Sequence, residues 1–244
     1  MYKAILFDLD GTLLDFHACE TNALKETLSL LGLPVNDEKY WVKVWKAYKP
    51  ISSAYWKAFF SPSNRTQANM TRDQVIEASI RDTLLVLKEN LFDEQFLGKE
   101  YWRVFCQTAY LNPGAKDILE KLKPRYLLGI ITNGYSRAQH GRIEASGLIG
   151  YLDLVIVSDD VGHEKPDPQI FRIALSKLEI SEQEALYIGD SIEHDYYGTK
   201  NAGIDFCYYQ PKTTKSGEDP EIAPKYIIRS FKELEWLIPN LKGK

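Results

Sequence analysis

The sequence predicts an α/β fold: a doubly wound, mainly parallel, Rossmann-like sheet carrying an inserted all-helical domain. Two observations lead there. Short apolar runs that stop at small or acidic residues alternate with helix-like segments over residues 111–238, and one more such run opens the chain. Residues 16–110 contain no convincing strand run and show helical periodicity instead. The length of 244 residues suits one large or two small compact units. The expected division is therefore a core of residues 1–15 and 111–244, interrupted by a helical domain of residues 16–110.

Ala4–Leu9, Leu127–Thr132, Leu154–Ser158, Ala185–Asp190 and Phe206–Tyr209 are the strand candidates. Their continuous apolar character suits strands covered on both faces. Asn112-Pro113 and Asp167-Pro168 read as an N-cap followed by proline at the first helical position. Ser181 with Glu184, Ser230 with Glu233, and Thr71 with Gln74 have capping-box spacing. Gly147 and Gly203 sit where helices should stop.

Within residues 16–110, Trp41, Trp45 and Tyr48 are spaced as one helix face and predict core packing. Tyr55, Trp56, Phe59 and Phe60 are too dense for a single buried face, so some are expected to line a pocket or the domain seam. Arg65, Arg72, Arg81 and Arg137 are expected on the surface. Ser61–Thr71 and Pro211–Pro224 read as loops.

Composition excludes several classes. With 44% hydrophobic and 26% charged residues, the chain is neither disordered nor membrane-embedded in character. Its net charge of −4 lacks the basic excess of a nucleic-acid binder. Cys19, Cys106 and Cys207 form no CxxC pair and read as buried thiols in a reducing compartment. Asp8 and Asp10 interrupt the first apolar run, which is neither a signal peptide nor a span, so a cytoplasmic protein, monomeric or homodimeric, is expected.

The chemistry gathers at strand ends. Asp8 and Asp10, in Asp-Leu-Asp-Gly-Thr, close the first strand and point to one side of an extended chain. Two carboxylates so near cannot both stay ionised unless a cation lies between them or one holds a proton. A magnesium ion would keep Asp8 nucleophilic, and Asp10 could then carry a proton. Gly11 permits a sharp turn that brings the backbone towards metal or phosphate. Thr132-Asn133-Gly134 could cradle a phosphate with its hydroxyl, amide and N–H groups. Lys165, flanked by Pro166 and Pro168, could neutralise phosphate charge. Asp190 closes another strand and adds an oxygen ligand of the kind magnesium prefers, with Asp195 nearby. All of these fall at carboxyl ends of predicted strands, where ligands bind in open α/β sheets.

The ordered set Asp-x-Asp, Thr, Lys, Gly-Asp-x4-Asp resembles, motif for motif, the haloacid dehalogenase-like (HAD) superfamily, with the helical insert where subfamily I places its cap. That resemblance implies that Asp8 attacks phosphorus and becomes an aspartyl phosphate. It implies that Asp10 is the acid/base and that its backbone carbonyl also binds Mg2+, that Asp190 completes a metal site of Asp8, Asp10 and Asp190, and that Asp195 orients Lys165 or a metal-bound water. Gly11, Thr132, Asn133 and Lys165 would then hold the phosphate. The dehalogenase branch lacks the second aspartate, so Asp10 favours phosphoryl chemistry. Ile131–Gly134, Glu144–Gly147, Tyr151–Asp153, Val161–Pro166 and Asn201–Gly203 are similar to the pyrimidine 5′-nucleotidase branch and to N-acylneuraminate 9-phosphate phosphatases. The expectation is a phosphoric monoester hydrolase acting on small phosphate esters, foremost nucleoside 5′-monophosphates. The alternatives are a sugar phosphatase or phosphomutase, then a 2-haloacid dehalogenase or a non-catalytic regulatory module.

Overall fold

The computed structural model describes residues 1–59, 70–90, 93–211 and 222–238. Phe60, Arg65 and most of the two expected loops lie outside the described residues. The chain divides into two compact units, Met1–Ala18 with Ala109–Lys244, and Cys19–Thr108.

In the first unit the described strands form one parallel sheet: β1 Ala4–Phe7, β2 Leu127–Thr132, β3 Leu154–Val157, β4 Ala185–Gly189, β5 Asp205–Tyr209 and β6 Tyr226–Ile228. Their order is β3-β2-β1-β4-β5-β6. This is the doubly wound α/β arrangement expected, and its switch point lies between β1 and β4. The central strands β1 and β4 are apolar and fully buried because both faces are covered. Ile5 and Phe7 pack into one core with Leu119, Ile130 and Phe231, while Ala4 and Leu6 pack into another with Phe171, Ala174 and Tyr187. That alternation is the period of two of an extended chain. The register sets Phe7 level with both Ile130 and Ile188, so the residues after β1, β2 and β4 emerge on one rim.

Three strands end before the apolar run does. Leu9 turns away from the ladder and accepts the Leu14 N–H at 2.8 Å, Ser158 opens a helix, and Asp190 follows the last β4 residue. β6 was not foreseen, since three residues flanked by polar ones give little pattern.

The helices of this unit are α5 Ala115–Leu122, α6 Ser136–Ala145, α7 Ser158–Val161, α8 Pro168–Leu178, α9 Tyr197–Ala202 and α10 Leu234–Leu237, preceded in sequence by α1 Phe16–Ser29, α2 Glu38–Phe59, α3 Arg72–Leu87 and α4 Glu94–Phe105. Asp167 caps α8 with Pro168 inside its first turn, and the Ser181–Glu184 capping box forms. Asn112 does not cap α5. Gly114 does so, at φ 80°, and Asn112 holds the loop after β1 instead.

The second unit contains α2, α3 and α4, most of α1, and no strand among its described residues. The Thr71–Gln74 capping box opens α3. Of the aromatic face on α2, Tyr48 is fully buried, whereas Trp41 and Trp45 are half-buried, their rings tilted against one another in series with centroids 5.7 and 5.9 Å apart and Tyr48 last. Tyr55 donates to Asp82 at 2.6 Å, and Arg81 pairs with Asp82 and Glu94. All three cysteines are buried. No described helix is long and apolar enough to cross a membrane.

Candidate active site

Asp8 follows β1 directly, its N–H bonded to Ile188 O at 2.8 Å, so its backbone is fixed by the neighbouring strand. Its side chain is nearly enclosed, and Oδ1 accepts from Lys165 Nζ at 2.6 Å. Lys165 is itself only 3% exposed. It donates to Asp195 at 2.7 Å and to the Tyr187 hydroxyl at 2.9 Å as well. An ammonium has three donors, and here each has an acceptor. Tyr187 in turn donates its hydroxyl hydrogen bond to Ile131 O at 2.8 Å. Burial opposes the charge on Lys165, but Asp195 and Asp8 outweigh it and hold its pKa above the ordinary value.

Asp195 is completely buried in the π-helical turn Ile192–Tyr196 after β4. Its second oxygen accepts the Ser191 N–H at 3.0 Å. Gly189 makes room for it: a Cβ there would lie 2.3 Å from Asp195 Oδ2. Of the two roles expected for Asp195, its contacts match the orienting of Lys165.

Asp190 accepts the Thr12 hydroxyl at 2.9 Å. Gly11, at φ 84°, is pressed against it, and a Cβ would fall 2.3 Å from its Oδ2. Oxygens of Asp8, Asp190 and Asp195 lie within 4.8 Å of one another. One ammonium faces three carboxylates, which leaves a surplus of two negative charges whenever all three are ionised. Burial, with Asp195 and Asp190 adding to it against Lys165, pushes Asp8 well above the usual carboxylate range. Burial and Asp195 likewise push Asp190 up to about 6. An all-oxygen donor set with that surplus charge fits a hard divalent cation such as Mg2+.

Three of the expected site residues are engaged by other hydrogen bonds. The Asp10 carboxylate stands outside this acidic cluster. Arg142 grips it from two sides, Nη2 to Oδ1 at 2.5 Å and Nη1 to Oδ2 at 3.0 Å, and Gln139 adds a bond to Oδ2 at 2.9 Å. These bonds occupy the side chain and leave the backbone carbonyl, the group that the resemblance implies for the metal. The Gly11 N–H, expected at the phosphate, already donates to Leu14 O at 2.9 Å. The Asn133 amide is engaged at both ends by the backbone of Lys165, accepting its N–H at 2.7 Å and donating to its O at 2.9 Å. Asn133 thus fixes the lysine, whose peptide bond to Pro166 is cis. Thr132 is buried at the end of β2, and its hydroxyl accepts from Gln139 at 2.8 Å.

Sequence reasoning missed Arg142, Gln139, Tyr187 and Asn112. Asn112 donates to Gly11 O at 3.2 Å and Thr12 O at 2.7 Å, securing the turn that carries Asp10. Gln139 and Arg142 had a legible signal. They share the buried face of α6 with Ala138 and Ile143, so two long polar residues sit at apolar helical spacing directly after Thr132-Asn133-Gly134.

A parallel sheet thus carries a buried acid–lysine cluster at its switch point, where α/β proteins place their ligands. Residues 2–203 match the family of haloacid dehalogenase-like hydrolases, and the chain belongs to that family. It is 34% identical to HAD-hydrolase YfnB of Bacillus subtilis over 96% of this chain and 94% of that one. It is 31% identical to the pyrimidine 5′-nucleotidase PynA of Streptococcus pneumoniae, covering 96% and 93%. The human N-acylneuraminate-9-phosphatase is 27% identical over 99% and 96%. The crystal structure of YfnB bound to magnesium superposes with a TM-score of 0.79 at 32% identity, covering 98% and 99% of the two chains. The chain is thus an enzyme of the family's phosphatase group, a phosphoric monoester hydrolase.

Proposed function

We propose that the protein is a Mg2+-dependent phosphatase that hydrolyses nucleoside 5′-monophosphates through a phosphorylated Asp8. The core of residues 1–15 and 111–244 carries the chemistry, and residues 16–110 form the family's helical cap. The observation that supports the mechanism is the single buried cage joining Asp8, Lys165, Asp190 and Asp195 at the sheet's switch point.

In this reading Asp8 attacks phosphorus, and the ester oxygen leaves with a proton from Asp10. Water then attacks the phosphorylated Asp8, and Asp10 takes the proton back. Lys165, held by Asp195, Tyr187 and Asn133, gives up its bond to Asp8 and neutralises a phosphate oxygen. Thr132 binds a second one. Asp8, Asp190 and the Asp10 carbonyl would hold Mg2+, which supplies charge neutralisation and alignment. Its presence in the YfnB crystal supports that cation.

The substrate class rests on the resemblance to PynA along nearly the whole chain. The test is a panel of pyrimidine and purine 5′-monophosphates, N-acylneuraminate 9-phosphate and other sugar phosphates, with and without Mg2+. Highest kcat/KM on a pyrimidine 5′-monophosphate is expected, with loss of turnover in EDTA. A preference for N-acylneuraminate 9-phosphate would replace the nucleotide reading, and phosphoryl return to a sugar would mark a mutase.

A further inference from the structure

Arg142 is the largest fully buried side chain among the described residues, and it carries a charge. A buried ion pair is poor evidence for stability, because desolvation offsets most of the attraction. An apolar residue on α6 would pack against the sheet without that cost. The partner is not local either: Asp10 lies 132 positions away, on the turn after β1. Such a residue is explained by what it places rather than by what it stabilises.

We infer that Arg142, together with Gln139, is a positioning residue for Asp10, setting where the acid/base carboxylate stands relative to the leaving oxygen. The inference rests on the Asp10 role given under Proposed function. The geometry is two-pronged. Arg142 takes both carboxylate oxygens, which fixes the plane of the group, since a guanidinium fork matches a carboxylate in one orientation. Gln139 bonds Asp10 Oδ2, Thr132 Oγ1 and Asn133 O at 2.9, 2.8 and 3.1 Å through one amide nitrogen. The same group therefore locks Asp10 to the end of β2. Arg142 Nη1 also donates to Gln139 Oε1 at 3.2 Å, so the two act as a unit. A carboxylate offers about four acceptor sites. Arg142 and Gln139 occupy three of them. One site on Oδ1 remains for the proton that the reaction moves. The Phe16 ring, at the start of α1, lies 5.9 Å from the guanidinium and closes its other side.

The step at stake balances simply. The Asp8–phosphorus bond forms, the phosphorus–oxygen ester bond breaks, and the Asp10 proton passes to the leaving oxygen. Protonation matters for an alkoxide leaving group and hardly at all for nitrophenolate. First-turnover release of the leaving group from a nucleoside 5′-monophosphate and from p-nitrophenyl phosphate should therefore be compared in wild type, Arg142→Met, Arg142→Lys and Asp10→Asn. The ratio of the two rates is independent of the fraction of active protein, so a general loss of folding does not move it. For Asp10→Asn and Arg142→Met the ratio is expected to fall about 100-fold, within the range of a positioned general acid. Arg142→Lys should recover part of it. In the Asp10→Asn background, Arg142→Met should have no further effect on the ratio. An unchanged ratio in Arg142→Met beside a fall in Asp10→Asn overturns the inference and leaves the Asp10 role intact. An unchanged ratio in Asp10→Asn removes that role and the inference with it. If Arg142→Met yields no folded protein, Gln139→Leu decides: a smaller fall supports the inference, and a wild-type ratio overturns it.

Discussion

The polar contacts of the sheet rim and those at the helix ends of the second unit are of opposite kinds. At the rim, Lys165 bonds Asp8 from 157 positions away with both side chains nearly enclosed, and the fully buried Arg142 bonds the partly exposed Asp10 from 132. In the helical unit, Thr71 with Gln74, Asp93 with Phe96 and Arg103 with Glu100 are three residues apart and sit at exposed helix ends and faces. Local contacts secure a helix and can be exchanged cheaply. Distant buried contacts converge on one place and cost heavily when one partner is lost. The difference teaches where function lies: a polar group held by its sequence neighbours is doing structural work, whereas one gathered across the fold against the desolvation cost calls for a chemical reason.

The sharpest break in that comparison is Asp8→Asn. The amide is nearly isosteric, but it is a poor nucleophile. Turnover should drop by on the order of 10⁴-fold or more, as for other covalent nucleophiles, and labelling of the protein by a 32P-monoester should vanish. A mutant that keeps wild-type initial rates would end the assignment of Asp8.

Lys165→Met tests the cage as a whole. It strands Asp8 and Asp195 without their cation. The expected cost is about 3–5 kcal/mol of stability, together with roughly 10²-fold or more in kcat. Denaturant titration and initial rates measure the two separately. A Tm within a degree of wild type would show that the cage contributes no more than a surface pair.

A third experiment uses the raised carboxylates. Asp190, pushed up to about 6, binds a proton more tightly folded than unfolded. Its contribution to stability is therefore full below its unfolded value near 3.8 and is lost as pH rises through about 6. Metal-free protein should lose stability over that window. A divalent cation should restore it, so the Mg2+-induced rise in Tm is expected to be larger at pH 7.5 than at pH 5. Asp190→Asn should flatten the pH dependence and shrink the Mg2+ effect. An equal Mg2+ effect at both pH values would separate the cation from these carboxylates.

The same contrast explains what could be read in advance. Apolar runs with Asp8, Thr132 and Asp190 at or next to their last residue expose the sheet and its rim together, because a buried parallel strand has few ways to look polar at its end. Lys165 was legible from its prolines and Asp190 from its strand. The supports were not. Tyr187 sits inside a strand like any core aromatic, and only the fold reveals its hydroxyl against Lys165. Asn112 before a proline looks like a helix cap, yet a glycine two residues on takes that place, and its amide reaches back to the β1 turn. Partners that meet only after crossover leave no spacing in the chain.

The smallest expected effect lies in the helical unit. Thr71→Ala removes the hydroxyl that accepts the Gln74 N–H while leaving the Thr71 N–H donating to the Gln74 side chain. Loss of a capping side chain costs about 1 kcal/mol, a fall in Tm of about 2–4 °C for a chain of this size. The leaving-group ratio and the Mg2+ dependence should stay at their wild-type values, because no rim residue loses a partner. A calorimetric scan beside a rate measurement on one preparation decides it. If this local cap moved the ratio as Arg142→Met is expected to, sequence separation and burial would no longer distinguish a structural polar contact from a chemical one.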